Sequence, residues 1–394
     1  MRVLYAALEQ TIPGTTGGSV HVESFAAGLQ RLGHEVHALV TPGAAPLPDC
    51  GVTWHALPPP LGRRQLRLLR SGAVLALARR LRPDVIIERY YNFGGEAILA
   101  ARKVSALAVL EVNAPVIDHA GSAKRRLDRL TLVEPMRRWR EWQCRAADLI
   151  ITPTAAILPG WVPSARVLEI EWGADTERFR PDVAGPVPFE RNRDHVVAVF
   201  AGAFRPWHGA IDLVRAVGRL HAGGAGQVDA VLIGDGPELP RVRRAAQRVD
   251  GVTCIGAVPH QHVPACLAAA DIGVAPFDVD AHGPLALEFY WSPLKVFEYM
   301  ASGLPVVAPA IERLRRVVRD GEEGVLYDAS RPESLDRALL RLCDASLRAS
   351  LGRNARARVL EQFGWDRHCR IVVDRLEQLR CGSVSRDPAP GHRT

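Results

Sequence analysis

Residues Ser292 to Val307 read Ser-Pro-Leu-Lys-Val-Phe-Glu-Tyr-Met-Ala-Ser-Gly-Leu-Pro-Val-Val. Ser292 is a residue type that caps helix N-termini, and the fixed φ of Pro293 suits the first helical position. A glycine and a proline then end the helix ahead of a short apolar strand at residues 306–308. The pattern predicts a helix whose first turn faces a crevice, followed by a buried strand.

The first turn of this helix is the predicted anion site. The backbone N–H groups that follow Pro293, at Leu294 and Lys295, would point at an anion together with the positive end of the helix dipole. The Lys295 side chain adds a full positive charge. Glu298 shares the same helix face, where its carboxylate could accept hydrogen bonds from sugar hydroxyls. The stretch therefore predicts a nucleotide-sugar pocket.

This segment resembles the donor-binding signature of the retaining glycosyltransferases of family 4, in the subgroup that carries Ser-Pro-Leu-Lys before the helix. The family usually has a pair of glutamates here, and Glu298 matches the second, which binds the ribose. Tyr290 stands in place of the first, and Glu288 is a candidate substitute. The resemblance implies an α/β protein of the GT-B fold, with two Rossmann-like domains whose parallel sheets face each other across a cleft.

Composition is consistent with a two-domain globular chain. The 394 residues are too many for one ordinary core, and the hydrophobic content of 47% is typical of soluble proteins. No run of about 18 apolar residues predicts a membrane span. The N-terminus is expected to be a strand rather than a signal peptide, so a cytoplasmic location is expected. Seven cysteines without a Cys-x-x-Cys pair favour reduced thiols and disfavour a zinc site.

The chain is basic, with a net charge of +7, but it has no nucleic-acid-binding motif, so no nucleic-acid partner is expected. Arginines are concentrated at residues 63–82 and again at 124–145, where Trp139 and Trp142 lie among them. Two interpretations stay open. These helices present solvated faces, which we prefer, or they make peripheral contact with the inner face of a membrane. The second interpretation favours a lipid or lipid-linked acceptor, and the first a soluble one.

The N-terminal half reads as a first Rossmann-like series. Residues 2–7 predict a buried strand, residues 14–19 a glycine-rich loop, and the following residues a helix that ends at Gly33. Gly17 and Gly18 lie just ahead of that helix, where glycine lets the backbone approach a ligand. By resemblance they lie beside the donor diphosphate and the acceptor. Further strands are predicted at 34–40, 52–56, 84–88, 106–112, 148–153 and 166–170, with a long basic helix at 63–82.

Polar residues follow the strand at 106–112. Glu111 and Asn113 come at its carboxyl end, where loops of parallel sheets carry ligand contacts. Many members of the family have a histidine at the position that aligns with Asn113. Asn113 could donate to a sugar hydroxyl, and Glu111, or Asp118 with His119, could handle acceptor protons. The alternative is an Asx-turn ahead of a proline.

A second series of strands and helices begins at residue 195. The turn at residues 203–209 resembles the family's diphosphate loop, with Arg205 matching the arginine and His208 standing where a lysine is usual. We expect His208 to be partly charged near neutral pH, and more so beside a phosphate. Gly234 begins the Gly-x-Gly-Pro turn that the family places below the nucleobase. Asp278, Asp280, His282 and Glu288 are candidates for sugar recognition, and their spacing disfavours a metal.

The predicted boundaries are 1–183 for an acceptor-side domain and 184–365 for a nucleotide-sugar domain. Residues 366–380 are expected to form a helix that crosses back to the first domain, and 381–394 a disordered tail. The resemblance implies transfer of a sugar from a nucleoside diphosphate to an acceptor hydroxyl, with retention and without a metal cofactor. The acceptor would be a glycan, a lipid-linked glycan or a natural product. Two alternatives are a nucleotide-sugar 2-epimerase of the same fold and a non-catalytic nucleotide-sugar-binding protein.

Overall fold

A computed structural model describes residues 1–118, 125, 128, 134–282 and 289–384 of the chain. These residues divide into two compact units. Unit 1 combines Met1–Glu171 with the C-terminal segment that starts at Trp365, and unit 2 is Trp172–Gly364. The division thus lies ahead of residue 183, because the segment after Trp172 folds with the second unit.

Unit 1 is built on a parallel sheet in the order β3-β2-β1-β4-β5-β6-β7. The strands are β1 (Arg2–Ile12), β2 (Glu35–Pro42), β3 (Thr53–Ala56), β4 (Val85–Arg89), β5 (Leu107–Glu111), β6 (Leu149–Thr152) and β7 (Val167–Glu169). The helices in the described part are α1 (Gly17–Arg31), α2 (Ser71–Leu81), α3 (Glu96–Val104), α4 (Pro135–Ala146) and a C-terminal helix, Trp365–Val384. The central strands are almost wholly buried, as expected for a parallel sheet covered on both faces.

Unit 2 has its own parallel sheet, in the order β10-β9-β8-β11-β12-β13. Its strands are β8 (Val196–Ala201), β9 (Val228–Ile233), β10 (Val252–Gly256), β11 (Ile272–Val274), β12 (Val306–Pro309) and β13 (Gly324–Tyr327). The helices are α5 (Ala210–Ala222), α6 (Leu239–Ala246), α7 (Val263–Ala268), α8 (Leu294–Ala301), α9 (Glu312–Val317), α10 (Pro332–Arg341) and α11 (Ala345–Gln362). The C-terminal helix of unit 1 is then α12. One apolar core lies under β8 and β9 against α5 and α10.

The predicted class, an α/β chain of two parallel-sheet domains, is confirmed. In each sheet the chain adds two strands on one side of the first strand and then adds the remaining strands on its other side. This order is the doubly wound arrangement. In such sheets, ligands bind beyond the carboxyl ends of the strands at the point of reversal. That point lies beside β1 in unit 1 and beside β8 in unit 2.

Four local predictions were wrong. Strand β1 continues to Ile12, past the polar residues that we took as its end. Helix α1 begins at Gly17, with Thr16 accepting from the Ser19 N–H, so both glycines lie inside the first turn. The single helix predicted at 63–82 is instead a 3-10 segment, Arg64–Arg70, followed by α2. Helix α2 ends at Arg82, which adopts a left-handed conformation although it is not a glycine. Residues 381–384 are helical, and residues 385–394 lie outside the described residues.

Candidate active site

The start of α8 differs from the predicted cap. The helix begins at Leu294, and Pro293 lies before it with ψ of 68°. The Ser292 hydroxyl accepts from the Trp172 N–H at 2.9 Å, so it does not cap the helix. The Leu294 N–H donates to the Ser292 carbonyl at 2.9 Å. The prediction that this N–H is open to an anion was therefore wrong, because the turn at Pro293 already uses it.

The Lys295 ammonium is the central feature of unit 2. Its side chain is buried, and Nζ has no hydrogen-bond partner among the residues that the structure describes. Nζ lies 4.2 Å from the centre of the Phe200 ring and 5.1 Å from that of Phe277. Burial lowers the pKa of Lys295 to about 7, although nearby Glu298 raises it. Among the described residues, no hydrogen-bonded anion accompanies this buried ammonium, and two aromatic rings lie beside it.

Gly202, the residue after β8, makes room for this lysine. A Cβ atom there would lie 3.1 Å from Lys295 Nζ, and the φ of Gly202 is +149°. The backbone at the carboxyl end of β8 therefore passes directly beside the ammonium, so an anion held at this strand end would meet Lys295.

Glu298 lies one turn further along α8 and is partly exposed. Burial raises the pKa of Glu298 to about 7, while Arg178 and Lys295 lower it. Arg178 also donates from Nη2 to the His260 carbonyl at 2.7 Å. Sequence reasoning missed Arg178. Nothing in the local sequence around Arg178 signals this role, because its interaction with Glu298 joins residues 120 positions apart.

The loop after β8 carries Arg205 and His208. Arg205 is exposed, with its guanidinium carbon 5.9 Å from the centre of the Trp207 ring. His208 Nδ1–H donates to the Ala203 carbonyl. Burial, followed by the charges of Lys295 and Arg205, lowers the pKa of His208 to about 2. With the pKa lowered in this way, we expect His208 to be neutral near pH 7 in the protein without a ligand, and to gain charge only beside an anion.

Gly234 follows β9 and contacts the loop after β8. Its φ is +133°, and a Cβ atom there would lie 1.9 Å from the Gly202 carbonyl oxygen. A Cβ atom on Gly236 would lie 2.7 Å from the backbone N and O atoms of Phe204. The two strand ends thus touch backbone to backbone, and this contact accounts for the Gly-x-Gly turn without any ligand.

Gly234→Ala is expected to lower the free energy of unfolding by about 3 kcal/mol, from steric overlap and an unfavourable φ. Gly224→Ala is the matched control, because Gly224 has a φ of +78° but nothing within 4 Å of an added Cβ. It should cost only about 1 kcal/mol. Chemical denaturation of both variants measures the difference, and equal losses would show that the contact with Gly202 is unimportant.

The loop after β11 holds the candidates for sugar recognition. The Asp278 carboxylate accepts the backbone N–H groups of Asp280 and Ala281, at 3.0 and 3.2 Å. The His282 ring centre lies 4.1 Å from that of Trp207 and 5.2 Å from that of Trp291. Glu288 lies outside the described residues. Across the described ranges, no three His, Cys, Asp or Glu side chains converge as a metal site would require.

The unit 1 residues singled out from the sequence lie near the ends of β1 and β5. A Cβ atom on Gly18 would lie 2.4 Å from Oε1 at the end of the flexible Gln10 side chain. The Asn113 amide donates to Glu111 Oε1 at 2.5 Å. Tyr5 donates its hydroxyl to Glu111 Oε2, also at 2.5 Å. Glu111 thus joins the end of β5 to β1.

Glu111 is buried and has two further partners. Arg89 Nη1 lies 2.7 Å and His21 Nε2 2.5 Å from Glu111 Oε1. Burial raises the pKa of Glu111, but His21 and Arg89 outweigh burial and hold it well below its usual range. A carboxylate that stays ionised at neutral pH and is surrounded by donors is a weak base. The surroundings of Glu111 favour a role in positioning Asn113 over a role as a general base.

The other predicted proton carriers are placed differently. Asp118 accepts both Nη groups of Arg140, at 2.8 and 2.9 Å, and His119 lies outside the described residues. His21 was missed by sequence reasoning. A helical projection shows His21 within the apolar face of α1, next to Val22. A histidine in such a place is more often a core residue than a functional one.

Some basic residues of unit 1 are internal, while others of the two predicted basic regions, such as Arg79, Arg80 and Arg138, are exposed. Arg67 and Arg140 are each 1% exposed. The rings of Trp139 and Trp142 stack with centres 4.7 Å apart, and Trp139 Nε1–H donates to the Gly94 carbonyl at 2.8 Å. Lys124, Arg126 and Arg129 lie outside the described residues. No helix among the described residues could span a bilayer.

Known proteins resemble both parts of the chain. The model of Glycosyltransferase Family 4 matches residues 15–159, and that of Glycosyl transferases group 1 matches residues 195–345. A D-inositol 3-phosphate glycosyltransferase from Acidothermus cellulolyticus is 31% identical over 268 residues, 61% of this chain and 56% of that protein. The chain thus matches about half the length of such curated relatives.

Solved structures show the same fold at low identity. Sucrose-phosphate synthase from Thermosynechococcus elongatus has a TM-score of 0.74 at 19% identity, covering 97% of this chain and 99% of that one. Anabaena HepE in complex with UDP-glucose has a TM-score of 0.71 at 18% identity, covering 96% and 100%. The N-terminal half of the chain thus matches a family 4 model and the C-terminal half a group 1 model of glycosyltransferases, and the chain has the two-domain fold of the GT-B glycosyltransferases.

Proposed function

We propose that the chain is a retaining hexosyltransferase that moves a sugar from a nucleoside diphosphate sugar to an acceptor hydroxyl without a metal cofactor. The observation that carries this proposal is the buried ammonium of Lys295 beside the carboxyl end of β8, which has no hydrogen-bond partner in the part of the chain that the structure describes. A buried cation without a hydrogen-bonded anion destabilises a fold, so its presence favours an anionic ligand. The diphosphate of a nucleotide sugar supplies that anion.

In this proposal, the diphosphate lies over Gly234 and the turn at Pro293 and Leu294. Arg205 and Lys295 stabilise the charge that develops on the leaving diphosphate, which is the step where fixed charges accelerate the reaction most. His208 takes up a proton as the phosphate approaches, because an adjacent anion raises the pKa of an imidazole.

Glu298 accepts the ribose hydroxyls, and its pKa near 7 lets it do so as a carboxylate once bound. The acceptor hydroxyl is deprotonated by the leaving diphosphate, so no protein nucleophile is needed. Asn113, held by Glu111, donates to an acceptor hydroxyl, and Gly17 with Gly18 leaves room beside it.

The acceptor class follows from the relatives. Several are named D-inositol 3-phosphate glycosyltransferases, which makes a polyol hydroxyl the first acceptor to test. Glycans, lipid-linked glycans and natural-product alcohols are the other classes. The transfer assay should compare them with one donor at a time.

The first experiment is a thermal-shift and hydrolysis screen against UDP-, GDP-, dTDP- and ADP-sugars. Stabilisation by one nucleotide, with slow release of its sugar, would support the proposal and identify the base. The anomeric configuration of the transfer product, read by NMR, tests retention, and unchanged activity in EDTA tests metal independence. Conversion of the donor sugar without an acceptor would indicate the epimerase instead.

Glu298→Ala is expected to abolish most of the nucleotide-induced thermal shift and to weaken donor binding about tenfold to a hundredfold, through loss of charged hydrogen bonds. Glu312→Ala is the control, because the Glu312 side chain is 78% exposed on α9. Titration calorimetry with the nucleotide from the screen makes the comparison. Equal affinity in the two variants would remove Glu298 from the donor site.

A further inference from the structure

Strand β8 of unit 2 continues after its pairing with β11 has stopped. The last registered pair of the two strands is Val199 with Gly273, before β8 ends at Ala201. Gly202 donates its N–H to Ile233 at the end of β9, so the N–H of Ala201 faces the β11 side. The two strands lie at the reversal point of the sheet, where a crevice opens. The buried Ala201 N–H therefore requires a partner from outside the sheet.

Tyr299 of α8 supplies that partner. Its side chain is fully buried, and its hydroxyl accepts the Ala201 N–H at 2.8 Å. The same hydroxyl faces the carbonyl oxygens of Ala201 and Val274, each at 3.4 Å. Burial raises the pKa of Tyr299, so the hydroxyl keeps its proton and can donate as well as accept. A helix side chain thus stands where β11 no longer pairs with β8.

Gly273 of β11 sets how closely α8 approaches the sheet. A Cβ atom on Gly273 would lie 2.4 Å from Cγ of Tyr299, so only a residue without a side chain lets the ring lie against the strand here. The ring is therefore held by β11 and the hydroxyl by the end of β8. As a result, the position of the end of β8 depends on α8 as well as on the sheet.

The same helix carries Lys295. Lys295 lies one turn before Tyr299 on one face of α8, since residues four apart on a helix are neighbours. Its Nζ lies 4.2 Å from the centre of the Phe200 ring, and a Cβ atom on Gly202 would lie 3.1 Å from Nζ. Phe200 and Gly202 are the residues on either side of Ala201. The hydrogen bond between Ala201 and Tyr299 thus controls the spacing between the ammonium and the end of β8.

We propose that Tyr299 is a positioning residue, whose hydroxyl holds the end of β8 against the Lys295 ammonium at the spacing that an anionic ligand requires. Because Tyr299 is fully buried, it acts through Lys295 and not by touching the ligand. The inference rests on the proposed function for the identity of that ligand. Such a site tolerates little displacement, since binding groups must be held to within about 0.5 Å.

Tyr299→Phe removes the hydroxyl and keeps the ring. We expect its donor affinity, measured by calorimetry with the nucleotide sugar from the screen, to be about tenfold lower than that of the unchanged chain. Val217→Ala is the matched control, because Val217 is fully buried on α5 and its truncation also weakens the core of unit 2. This variant should bind the donor normally. Equal donor affinities of Tyr299→Phe and Val217→Ala would overturn the proposal.

A double-mutant cycle separates positioning of Lys295 from general support of the fold. In Lys295→Met, the further change Tyr299→Phe should cause no additional loss of donor affinity, because the hydroxyl acts through a lysine that is already absent. A second tenfold loss in that background would show that Tyr299 acts independently of Lys295, and it would overturn the proposal.

Lysine NMR tests the same contact without a donor. The chain contains three lysines, Lys103, Lys124 and Lys295, so protein labelled with 13C-lysine gives three sets of side-chain signals, and Lys295→Met assigns one of them. The nearby Phe200 ring should shift the Lys295 signals away from those of exposed Lys103. We expect Tyr299→Phe to move them towards the Lys103 position and Val217→Ala to leave them in place. Unmoved signals in Tyr299→Phe would overturn the proposal.

The NMR measurement also separates this inference from the proposed function. If the unchanged chain binds no nucleotide sugar, the proposed function fails, and the Lys295 signals alone decide whether Tyr299 positions the ammonium. If Lys295→Met weakens donor binding and Tyr299→Phe does not, the proposed function stands and the role of Tyr299 is refuted.

Discussion

Lys295→Met is expected to weaken donor binding and transfer by about a hundredfold to a thousandfold, the usual effect of removing one preorganised charge from a reacting centre. The same variant should melt at a higher temperature than the unchanged chain. Burial lowers the pKa of Lys295 to about 7, so at neutral pH folding must bury or neutralise an ammonium that water would hold charged. Methionine keeps the apolar stem against Phe200 and Phe277 and removes that cost.

If Lys295 has a functional role, its replacement should weaken donor binding and raise the stability of the protein. If Lys295 were only structural, its replacement should lower the stability. Lys103→Met is the control, because Lys103 is exposed at the end of α3. It should change neither quantity. Thermal melting measures the stability of each variant, and calorimetry with the donor identified by the screen measures its donor affinity. A Lys295→Met protein that binds the donor normally would contradict the assignment.

The pH dependence provides a second test of Lys295. An anionic donor favours the charged lysine. The ratio of the affinities of the unchanged chain and Lys295→Met should therefore be constant below pH 7 and fall about tenfold per pH unit above it, until the pKa of the bound state is reached. A nucleotide sugar is the right probe, since its diphosphate does not titrate in this range. Any pH dependence that remains in Lys295→Met belongs to Glu298, whose pKa is raised to about 7, and to the proton that His208 takes up on binding.

Much of the fold was predictable because parallel strands leave a simple pattern. Short apolar runs bounded by Gly, Pro and Asp predicted β2 to β7 of unit 1, and β12 of unit 2, to within two residues at each end. The doubly wound order follows from repeated alternation of strand and helix. The resemblance of residues 292–307 to a known signature located the cationic centre at Lys295.

The remaining site could not be predicted because it depends on contacts between distant residues. Ser292 looked like a helix cap, but its hydroxyl is 2.9 Å from the backbone of Trp172, 120 positions away. Glu111 looked like a base, but three strands and α1 bring Tyr5, Arg89 and His21 around it. Helical spacing likewise cannot distinguish a solvated arginine from Arg67, since only the carboxylates of other elements reveal its burial.

Arg67→Met is expected to lower the free energy of unfolding of unit 1 by about 3–5 kcal/mol, the range seen when one partner of a buried ion pair is removed. The change would leave Glu9, Glu88 and Glu96 buried together without their shared cation. Glu88 also accepts the N–H groups of Gly95, Ala97 and Ile98, so the start of α3 depends on the same cluster.

The loss of unfolding free energy caused by Arg67→Met should be larger at high than at low pH. Burial, and then Glu96, raise the pKa of Glu88 to about 8, and burial raises that of Glu9. When the pKa of a carboxyl is higher in the folded than in the unfolded protein, its contribution to stability is complete below the unfolded pKa, near 4.5. That contribution is lost as the pH rises through the folded pKa. Without Arg67 these folded pKa values rise further. The difference between Arg67→Met and the unchanged chain should therefore be large at pH 8 and smaller at pH 5.

Arg137→Met is the matched control, since Arg137 pairs with Glu134 and Glu141 on α4 with a side chain 58% exposed. An exposed pair of this kind contributes at most about 1 kcal/mol, so its loss should be small and nearly independent of pH. Urea unfolding of both variants at pH 5 and pH 8 gives four values. Adding Glu96→Gln to Arg67→Met should restore part of the loss, because it removes one uncompensated charge. An equal deficit at both pH values would show that the cluster acts through packing and not through charge.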